Sequence, residues 1–303
     1  MAPCLLISLM HRFTLQFLLI FLSALPALRA APLYAVCGAY EPELAALKKE
    51  FGVSATAGWT RSTVAGLEFW RGTTAGKDII VFHTGVSIVN AAYQLQLALD
   101  HFPITHVLFA GVAGGTDPAL AIGDVVIPEN WAYHSEAAYL NEDGHGGYVR
   151  PDYLPAGRAN FGMIFPTGTN LSRPDGTHER LDLIPVDAAL LAAARRVAPT
   201  LPPMKKSGRV VRIEAGGTGV SGPVFLDNAP YREWIFRTWA ARCVDMESTA
   251  LVHVAHANAK PVLVVRGLSD LAGGQHGKNP IDDNELSVSQ LAAHVLRAIV
   301  DQL

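Results

Sequence analysis

The hydrophobic pattern between residues 243 and 270 predicts a helix followed by a buried strand. Leu251, Val254 and Ala255 are spaced as one apolar helical face. After a break at Pro261, residues 262–265 form a continuous apolar run, which is typical of a strand buried on both faces. Charged residues Arg266 and Asp270 follow this run. Because ligands of open α/β sheets bind beyond the carboxyl ends of strands, both side chains are candidate site residues.

Similar patterns alternate along most of the chain and predict an α/β fold. Apolar runs predict strands at residues 33–37, 67–74, 78–84, 106–110, 125–127 and 209–214. Helical patterns lie at residues 42–51, 88–101, 188–197, 227–239 and 287–303. Strands that alternate with helices predict a three-layer α/β/α sandwich with a central mixed sheet, in one domain spanning residues 31–303.

Residues 135–185 interrupt this alternation. Gly, Pro, Asn and Asp are frequent there, and no hydrophobic period persists. Because a compact domain rarely contains so long an irregular loop, we interpret this segment as a functional insertion or cap.

The N-terminus has the pattern of a secretory signal peptide over residues 1–30. His11 and Arg12 precede an apolar run at residues 13–22, and small residues follow as far as Ala31. The run is shorter than the roughly 20 residues that a spanning helix needs, although an uncleaved anchor is the alternative. We therefore expect a mature chain from about Ala31, secreted or periplasmic, with no membrane association after cleavage.

The amino-acid composition limits the kinds of partner that the chain is expected to bind. The chain has 303 residues, of which 50% are hydrophobic and 17% charged, and its net charge is −3. A mildly acidic chain without a basic run is not expected to bind nucleic acid. Cys37 and Cys243 remain after signal removal, and they are expected as buried free thiols, with a disulfide between them as the alternative.

Four segments follow predicted strands and are expected to converge at one edge of the sheet: residues 38–43, 111–115, 216–225 and 246–270. The dinucleotide-binding glycine motif and the P-loop motif are both absent from the sequence, so no cofactor is expected. His253 and His256 lie three residues apart on the predicted helix, but no third ligand accompanies them, so no metal site is expected.

The acidic residues of these segments allow ordinary structural explanations. Glu43, Asp245 and Glu247 lie at helix entrances, where the helix dipole stabilises carboxylates regardless of function. Asp270 has no evident capping partner in the sequence, which favours a functional role, although Arg266 could pair with it structurally.

Four motifs resemble the nucleoside phosphorylase superfamily: Gly-Ala-Tyr-Glu-Pro-Glu at 38–43, Gly-Val-Ala-Gly-Gly at 111–115 with Ile-Gly-Asp-Val-Val at 122–126, Val-Asp-Met-Glu-Ser-Thr-Ala at 244–250, and Val-Arg-Gly-Leu-Ser-Asp at 265–270. The chain is most similar to 5′-methylthioadenosine/S-adenosylhomocysteine nucleosidases. Residues 219–228 and the long insertion also resemble the secreted plant bark storage proteins. The resemblance covers residues 33–303.

The resemblance implies a role for each matching residue. Glu43 would activate the attacking water, Asp270 would protonate the purine, and Arg266 would lie beside the water. The substrate-binding set would comprise Glu247 on the ribose hydroxyls, Met246 under the sugar, Phe225 stacked on the base, and also Leu226, Gly114 and Ser269. These residue types suit cleavage of an N-glycosidic bond, which builds positive charge on the ribose and requires a proton on the leaving base.

The sequence also departs from the nucleosidases. They usually carry serine where this chain has Val112, and Pro42 and the insertion match the storage branch. We expect hydrolysis of a purine nucleoside with water as nucleophile, in a homo-oligomer (dimer or trimer). The alternatives are a non-catalytic secreted nucleoside-binding or storage protein and a phosphate-dependent phosphorylase. The loop at 38–43 disfavours the phosphorylase, because it carries two carboxylates and a proline without an N–H.

Overall fold

The computed structural model describes residues 31–154 and 156–303; the predicted signal peptide at residues 1–30 lies outside them. The helices are α1 (Glu41–Phe51), α2 (Ile88–His101), α3 (Ala188–Val197), α4 (Ala229–Trp239), α5 (Ser248–Ala257) and α6 (Ile281–Asp301). The strands are β1 (Leu33–Gly38), β2 (Thr60–Val64), β3 (Leu67–Thr74), β4 (Lys77–His83), β5 (His106–Gly115), β6 (Val125–Ile127), β7 (Asn130–Tyr133), β8 (Ala137–Tyr139), β9 (Ile164–Pro166), β10 (Thr169–Ser172), β11 (His178–Leu181), β12 (Ile184–Pro185), β13 (Lys205–Lys206), β14 (Arg209–Val210), β15 (Ile213–Ala215), β16 (Thr218–Ser221), β17 (Ala241–Asp245) and β18 (Val262–Asp270).

Twelve strands form one central mixed sheet. Its main path runs β12-β7-β16-β17-β5-β1-β4-β3-β2, and β18 and β6 extend from β5 to β15. Strand β5 pairs in parallel with β1 and β18 and antiparallel with the end of β17. The carboxyl ends of β1, β5, β17 and β18 therefore meet at the middle of the sheet, as expected for a ligand site in this class of fold.

Helices cover both faces of the sheet. Helix α1 packs on α6, and α2 packs on α5, so the predicted three-layer α/β/α sandwich is confirmed. Gly267 lets α6 approach β18 closely, because a Cβ atom there would lie 2.4 Å from Val288 Cγ1. The core consists of buried aliphatic residues from β1, β4, β5 and β18. None of the helices in the described part of the chain has the length and apolar character that crossing a bilayer requires.

Most predicted elements are present, but several bounds were wrong. The helices at residues 88–101 and 188–197 match α2 and α3, whereas α6 begins six residues before the predicted start at 287. The segments 111–115 and 266–270 were interpreted as loops and instead continue β5 and β18. Strands β7, β16 and β17 were missed because they are short, and the predicted strand at 209–214 is divided between β14 and β15.

The segment 135–185 contains more regular structure than its composition indicates. Strands β8 and β9 form one antiparallel pair, β10 and β11 form another, and β12 joins the edge of the central sheet beside β7. Phe161 and Ile164 of this segment pack against a second hydrophobic cluster that includes Trp234 and Trp239 of α4. Trp234 also donates a hydrogen bond from Nε1 to the carbonyl of Ala159 at 2.9 Å. The segment is thus anchored on α4.

Candidate active site

One cavity of about 210 Å³ opens where the predicted segments converge. It contains all the residues to which the resemblance gives a role except Arg266, which lies directly behind the wall. The lining residues are Ala39, Tyr40, Glu43, Val86, Val112, Ala113, Gly114, Val224, Phe225, Leu226, Val244, Asp245, Met246, Glu247, Ser269, Asp270, Ile281 and Glu285. The expected convergence of the four segments is therefore confirmed.

Arg266 is fully buried and organises the carboxylates around it. Its Nε donates to Asp245 Oδ2 at 2.7 Å, and Nη1 and Nη2 lie 3.2 Å from Glu43 Oε1 and 3.5 Å from Glu247 Oε2. The guanidinium also stands 4.0 Å above the Phe109 ring. Burial alone would lower the pKa of Arg266, but the three carboxylates outweigh it and raise that pKa above its ordinary value. The arginine is therefore a fixed cation.

Asp245 is the acceptor that fixes this arrangement, and the sequence analysis gave it no role beyond a helix entrance. Its Oδ1 accepts from Ser221 Oγ at 2.5 Å and from the backbone N–H groups of Glu247 and Ser248. Its Oδ2 accepts from Ser248 Oγ as well as from Arg266. Both oxygens of this buried carboxylate are thus hydrogen-bonded, as buried polar groups usually are. Asp245 lies two residues before the N-cap residue Glu247, outside the usual capping position, so no local pattern indicated its role.

Glu43 lies at the first turn of α1 with its carboxylate in the centre of the site. Oε2 accepts from the N–H of Ala39 at 2.5 Å, and Oε1 accepts from the N–H of Val112 at 2.7 Å. The backbone of Val112 makes this contact, so it persists although the side chain is not serine. Burial raises the pKa of Glu43, opposed by the charge of Arg266. A carboxylate with a raised pKa is suited to accept a proton from water.

Gly111 makes the contact between Glu43 and Arg266 sterically feasible. A Cβ atom on Gly111 would lie 1.9 Å from Glu43 Oε1 and 2.3 Å from Arg266 Nη1. Any side chain at this position would therefore displace one of the two groups.

Glu247 occupies the residue before α5. Its Oε1 accepts from the N–H of Ser87 at 2.8 Å, and Ser87 adopts a φ of 80°, an unfavourable value for a residue with a side chain. Burial, reinforced by Asp245, raises the pKa of the Glu247 carboxyl to about 8. The carboxylate can accept hydrogen bonds from neighbouring hydroxyls of a sugar.

Asp270 ends β18 on another wall of the cavity. Its Oδ1 accepts from the N–H of Ala272 at 2.8 Å and from Asn279 Nδ2 at 3.4 Å, and its Oδ2 accepts from Ser269 Oγ at 2.9 Å. Burial raises the pKa of Asp270 above its ordinary value. A carboxyl that holds its proton more tightly than usual can serve as a general acid.

The structure corrects one expectation and rules out two alternatives. Asp270 does have hydrogen-bond partners. Arg266 pairs with Asp245, Glu43 and Glu247, so the alternative pairing with Asp270 is wrong. The expectation that Cys37 and Cys243 are buried free thiols is confirmed, and the alternative of a disulfide is wrong.

The two histidines of α5 make separate contacts. His253 Nδ1 lies 3.3 Å from the Tyr133 hydroxyl, and His256 Nε2 lies 3.0 Å from Arg173 Nη2. Each ring therefore has its own polar neighbour from another element.

All the predicted substrate-binding residues line the cavity. Phe225 is 55% exposed at the rim, with Leu226 beside it. Gly114 lies against Asp270, because a Cβ atom there would be 3.0 Å from Asp270 Oδ1. Met246 and Glu247 line the cavity at the entrance to α5, and Ser269 lines it next to Asp270. The exposed ring of Phe225 suits a flat base, and the carboxyl group of Glu247 suits sugar hydroxyls.

The cavity is rich in acid. Glu43, Asp245, Glu247, Asp270 and Glu285 line it, and among the described residues neither lysine nor arginine does. Such a surface favours groups that carry or develop positive charge and disfavours anions.

An α/β sandwich with carboxylates around a cavity at the carboxyl ends of its strands is what the motif resemblance implies, and comparison with known proteins places the chain in a family. The chain belongs to the phosphorylase superfamily, whose family model matches residues 33–303.

Individual relatives agree with this placement. The chain is 30% identical over 239 residues to the 5′-methylthioadenosine/S-adenosylhomocysteine nucleosidase of Tolumonas auensis, with 78% of this chain and 86% of the relative covered. It is 28% identical over 269 residues to the nucleosidase of the same name from Halalkalibacterium halodurans, with 88% and 97% covered.

Solved structures share the fold. The futalosine hydrolase of Helicobacter pylori superposes with a TM-score of 0.68 at 22% identity, covering 90% of this chain and 99% of that one. A 5′-methylthioadenosine/S-adenosylhomocysteine nucleosidase from the same organism gives 0.69 at 20% identity, covering 91% and 100%. The nucleoside phosphorylase-like architecture is thereby confirmed.

Proposed function

We propose that this protein hydrolyses the N-glycosidic bond of purine nucleosides of the 5′-methylthioadenosine/S-adenosylhomocysteine type, with water as the nucleophile. The observation that carries the proposal is the cluster of Glu43, Asp245 and Glu247 around the buried Arg266, with Asp270 in the same cavity. The names of the curated relatives support the same substrate class.

We assign tasks to three of the acidic residues, and their positions in the cavity support the assignment. Asp270 gives its proton to the leaving purine, Glu43 takes a proton from the water, and Glu247 holds the ribose hydroxyls. As the bond breaks, positive charge grows on the sugar, and the surrounding carboxylates stabilise it. Arg266 orients Glu43 and Glu247 and prevents their mutual repulsion from separating them.

Water is favoured over phosphate by the charge of the cavity. A phosphorylase must hold an anion beside the sugar, usually with several basic groups. The guanidinium nitrogens of Arg266 already lie against carboxylates, and the described cavity wall offers no second cation. Cleavage is therefore proposed to yield the free sugar.

The experiment is purine release from a panel of nucleosides, with phosphate absent and then present, followed by identification of the sugar product. We expect equal rates in both conditions and a free 5′-modified ribose. A strict phosphate requirement with a ribose 1-phosphate product would establish a phosphorylase. Tight binding without turnover would establish a storage or binding protein.

Two further properties complete the proposal. Residues 1–30 act as a secretory signal, so the protein works outside the cytoplasm; the charged, apolar and small-residue order of the N-terminus supports this.

The mature protein is a homo-oligomer, a dimer or trimer. Light scattering of the purified chain tests this state directly.

A further inference from the structure

One part of the cavity wall has no role in the mechanism above. The base and the sugar account for Phe225, Asp270 and Glu247 and their neighbours. The remaining polar lining residues are Tyr40 and Glu285, which are accompanied by the apolar Val86 and Ile281. Because the base and the ribose hydroxyls occupy the other walls, this part faces the third substituent of the sugar, the group on C5′.

Tyr40 and Glu285 are joined across the cavity by a hydrogen bond. The Tyr40 hydroxyl donates to Glu285 Oε2 at 3.0 Å, although the two residues are 245 positions apart in the chain. Tyr40 lies three residues before Glu43, and both residues line the same cavity.

Helix α6 holds Glu285 in this position. Ile281 and Glu285 are one turn apart and both reach the cavity. Asn284, between them in sequence, donates from Nδ2 to the carbonyl of Ser269 at 3.0 Å and to that of Pro280 at 2.9 Å. The start of α6 is therefore tied to the end of β18, beside Asp270.

The charge of Glu285 lacks a counterion. Within residues 31–154 and 156–303 it forms no ion pair, and the Tyr40 hydroxyl is its only hydrogen-bond partner. Glu50, by comparison, has the ring of His294 at 2.9 Å. An uncompensated carboxylate at the wall of a cavity favours a ligand that donates a hydrogen bond to it.

We propose that Tyr40 and Glu285 form the subsite for the C5′ group and rank purine nucleosides within the proposed cleavage, so that a C5′ group with a hydrogen-bond donor is favoured and the methylthio nucleoside is the poorer substrate. The donor is a hydroxyl or an ammonium group, from which Glu285 accepts a hydrogen bond. The Tyr40 hydroxyl already donates its one hydrogen to Glu285, so toward the ligand it acts as an acceptor. A methylthio group offers no donor. Its binding would therefore remove solvent from the Glu285 carboxylate without replacing the hydrogen bonds that the solvent made. This inference rests on the proposed glycosidic cleavage.

The test compares kcat/KM for adenosine, 5′-amino-5′-deoxyadenosine and 5′-methylthioadenosine. The protein should favour the hydroxyl and amino nucleosides over the methylthio nucleoside by roughly 10-fold or more, the effect of one hydrogen bond to a charged group. Glu285→Leu should abolish or reverse that preference. Glu285→Gln, which retains the size and an acceptor oxygen, should reduce the preference for the amino nucleoside more than that for the hydroxyl nucleoside.

Two controls separate this effect from damage to the fold. Asp282→Asn lies on the same helix and pairs only with the exposed Lys278, so it should leave all three ratios unchanged. 5′-Deoxyadenosine, which has no polar C5′ group, should be cleaved by Glu285→Leu with a kcat/KM higher than that of the unmodified protein, a gain that damage to the fold would not produce. If Glu285→Leu does not fold, Glu285→Gln and Tyr40→Phe provide the same comparison.

The outcomes separate the two proposals. Release of no purine from any nucleoside would overturn the proposed function. Cleavage of all three nucleosides with equal kcat/KM, or a ratio unchanged in Glu285→Leu, would overturn only the subsite.

Discussion

At the scale of single residues, the site depends on carboxylates whose charges are controlled by burial and by one arginine. The sequence singled out Glu43, Glu247, Arg266 and Asp270 through motif resemblance. It could not show which acid Arg266 pairs with, because that depends on the register between β18, β17 and α1. Asp245 received no role for the same reason: its donors Ser221 and Arg266 come from distant strands.

The first prediction concerns the proton donor. Asp270→Asn keeps the size of the side chain but cannot deliver a proton, so purine release should fall by about 10²–10⁴-fold while ligand binding is largely retained. Single-turnover rates and equilibrium binding of the nucleoside measure the two effects. Full turnover in this variant would show that another group is the acid.

The second prediction concerns the pH dependence of stability. Because burial raises the pKa of Glu247 from 4.5 to about 8, the native protein holds a proton that the unfolded chain releases. Stability from this group is complete below pH 4.5 and is lost as the pH rises through 8. Urea unfolding should show the unmodified protein weakening relative to Glu247→Gln over this range.

If the free energy of unfolding changes equally with pH in the two proteins, the raised pKa does not belong to Glu247. Glu247→Gln should also weaken nucleoside binding, because a neutral amide replaces the charged acceptor of the ribose hydroxyls. Titration of the nucleoside at pH 8 measures this loss.

The third prediction concerns Gly111. Gly111→Ala should displace Glu43 or Arg266 and lower kcat at least about 10²-fold, since an error of about 1 Å in position has that effect. Gly115→Ala is the matched control in the same strand, because its Cβ atom would meet leucine side-chain ends at 3.1 and 3.2 Å and the Asp270 carbonyl oxygen at 3.5 Å, an ordinary contact distance. Equal activity of the two variants would contradict the steric argument.

At the scale of elements, periodicity identified long helices and buried strands well and failed at short strands. α2 and α3 were predicted with correct ends because apolar periodicity and breakers coincide there. β16 and β17 are only four and five residues long, and β16 contains a glycine, so their pairing in the sheet could not be inferred locally. The antiparallel strand pairs between residues 135 and 185 pack on distant helices, since Ile164 of β9 joins the α4 cluster and β10 contacts α5, and no local pattern encodes these contacts.

The fourth prediction tests those contacts. Phe161 stacks edge-on against Tyr231 of α4 at 5.0 Å, and α4 begins just after Phe225 and Leu226. Phe161→Ala should reduce the free energy of unfolding by about 2 kcal/mol, less than a fully buried phenylalanine, and raise KM. Tyr153→Ala, in the same segment but 79% exposed, should change neither quantity. Denaturant melts and initial rates provide the comparison.

At the scale of the whole molecule, the architecture was predictable because the alternation of strands and helices extends over most of the chain. The position of the site also followed, since all four segments end strands of one sheet. What the sequence could not supply was the acid-rich character of the cavity as a whole, because Tyr40 and Glu285 come together only when α6 folds over the end of β18.

The fifth prediction concerns the N-terminus. Expression of the full chain in a host that recognises its export signal should yield a mature protein beginning near Ala31. N-terminal sequencing of the exported fraction checks the cleavage site. A soluble cytosolic product that keeps residues 1–30 would refute the signal peptide.

The acid-rich cavity also acts as a charge filter. A nucleoside 5′-phosphate would bring two negative charges to the wall that carries Glu285, with Glu43 nearby and no cation in the described lining to offset them. We therefore expect nucleotides to be disfavoured even where their bases would fit, because the phosphate meets acidic residues while Arg266, behind the wall, is already paired. On the proposed function, a nucleotide would become a substrate only after a phosphatase has removed its phosphate.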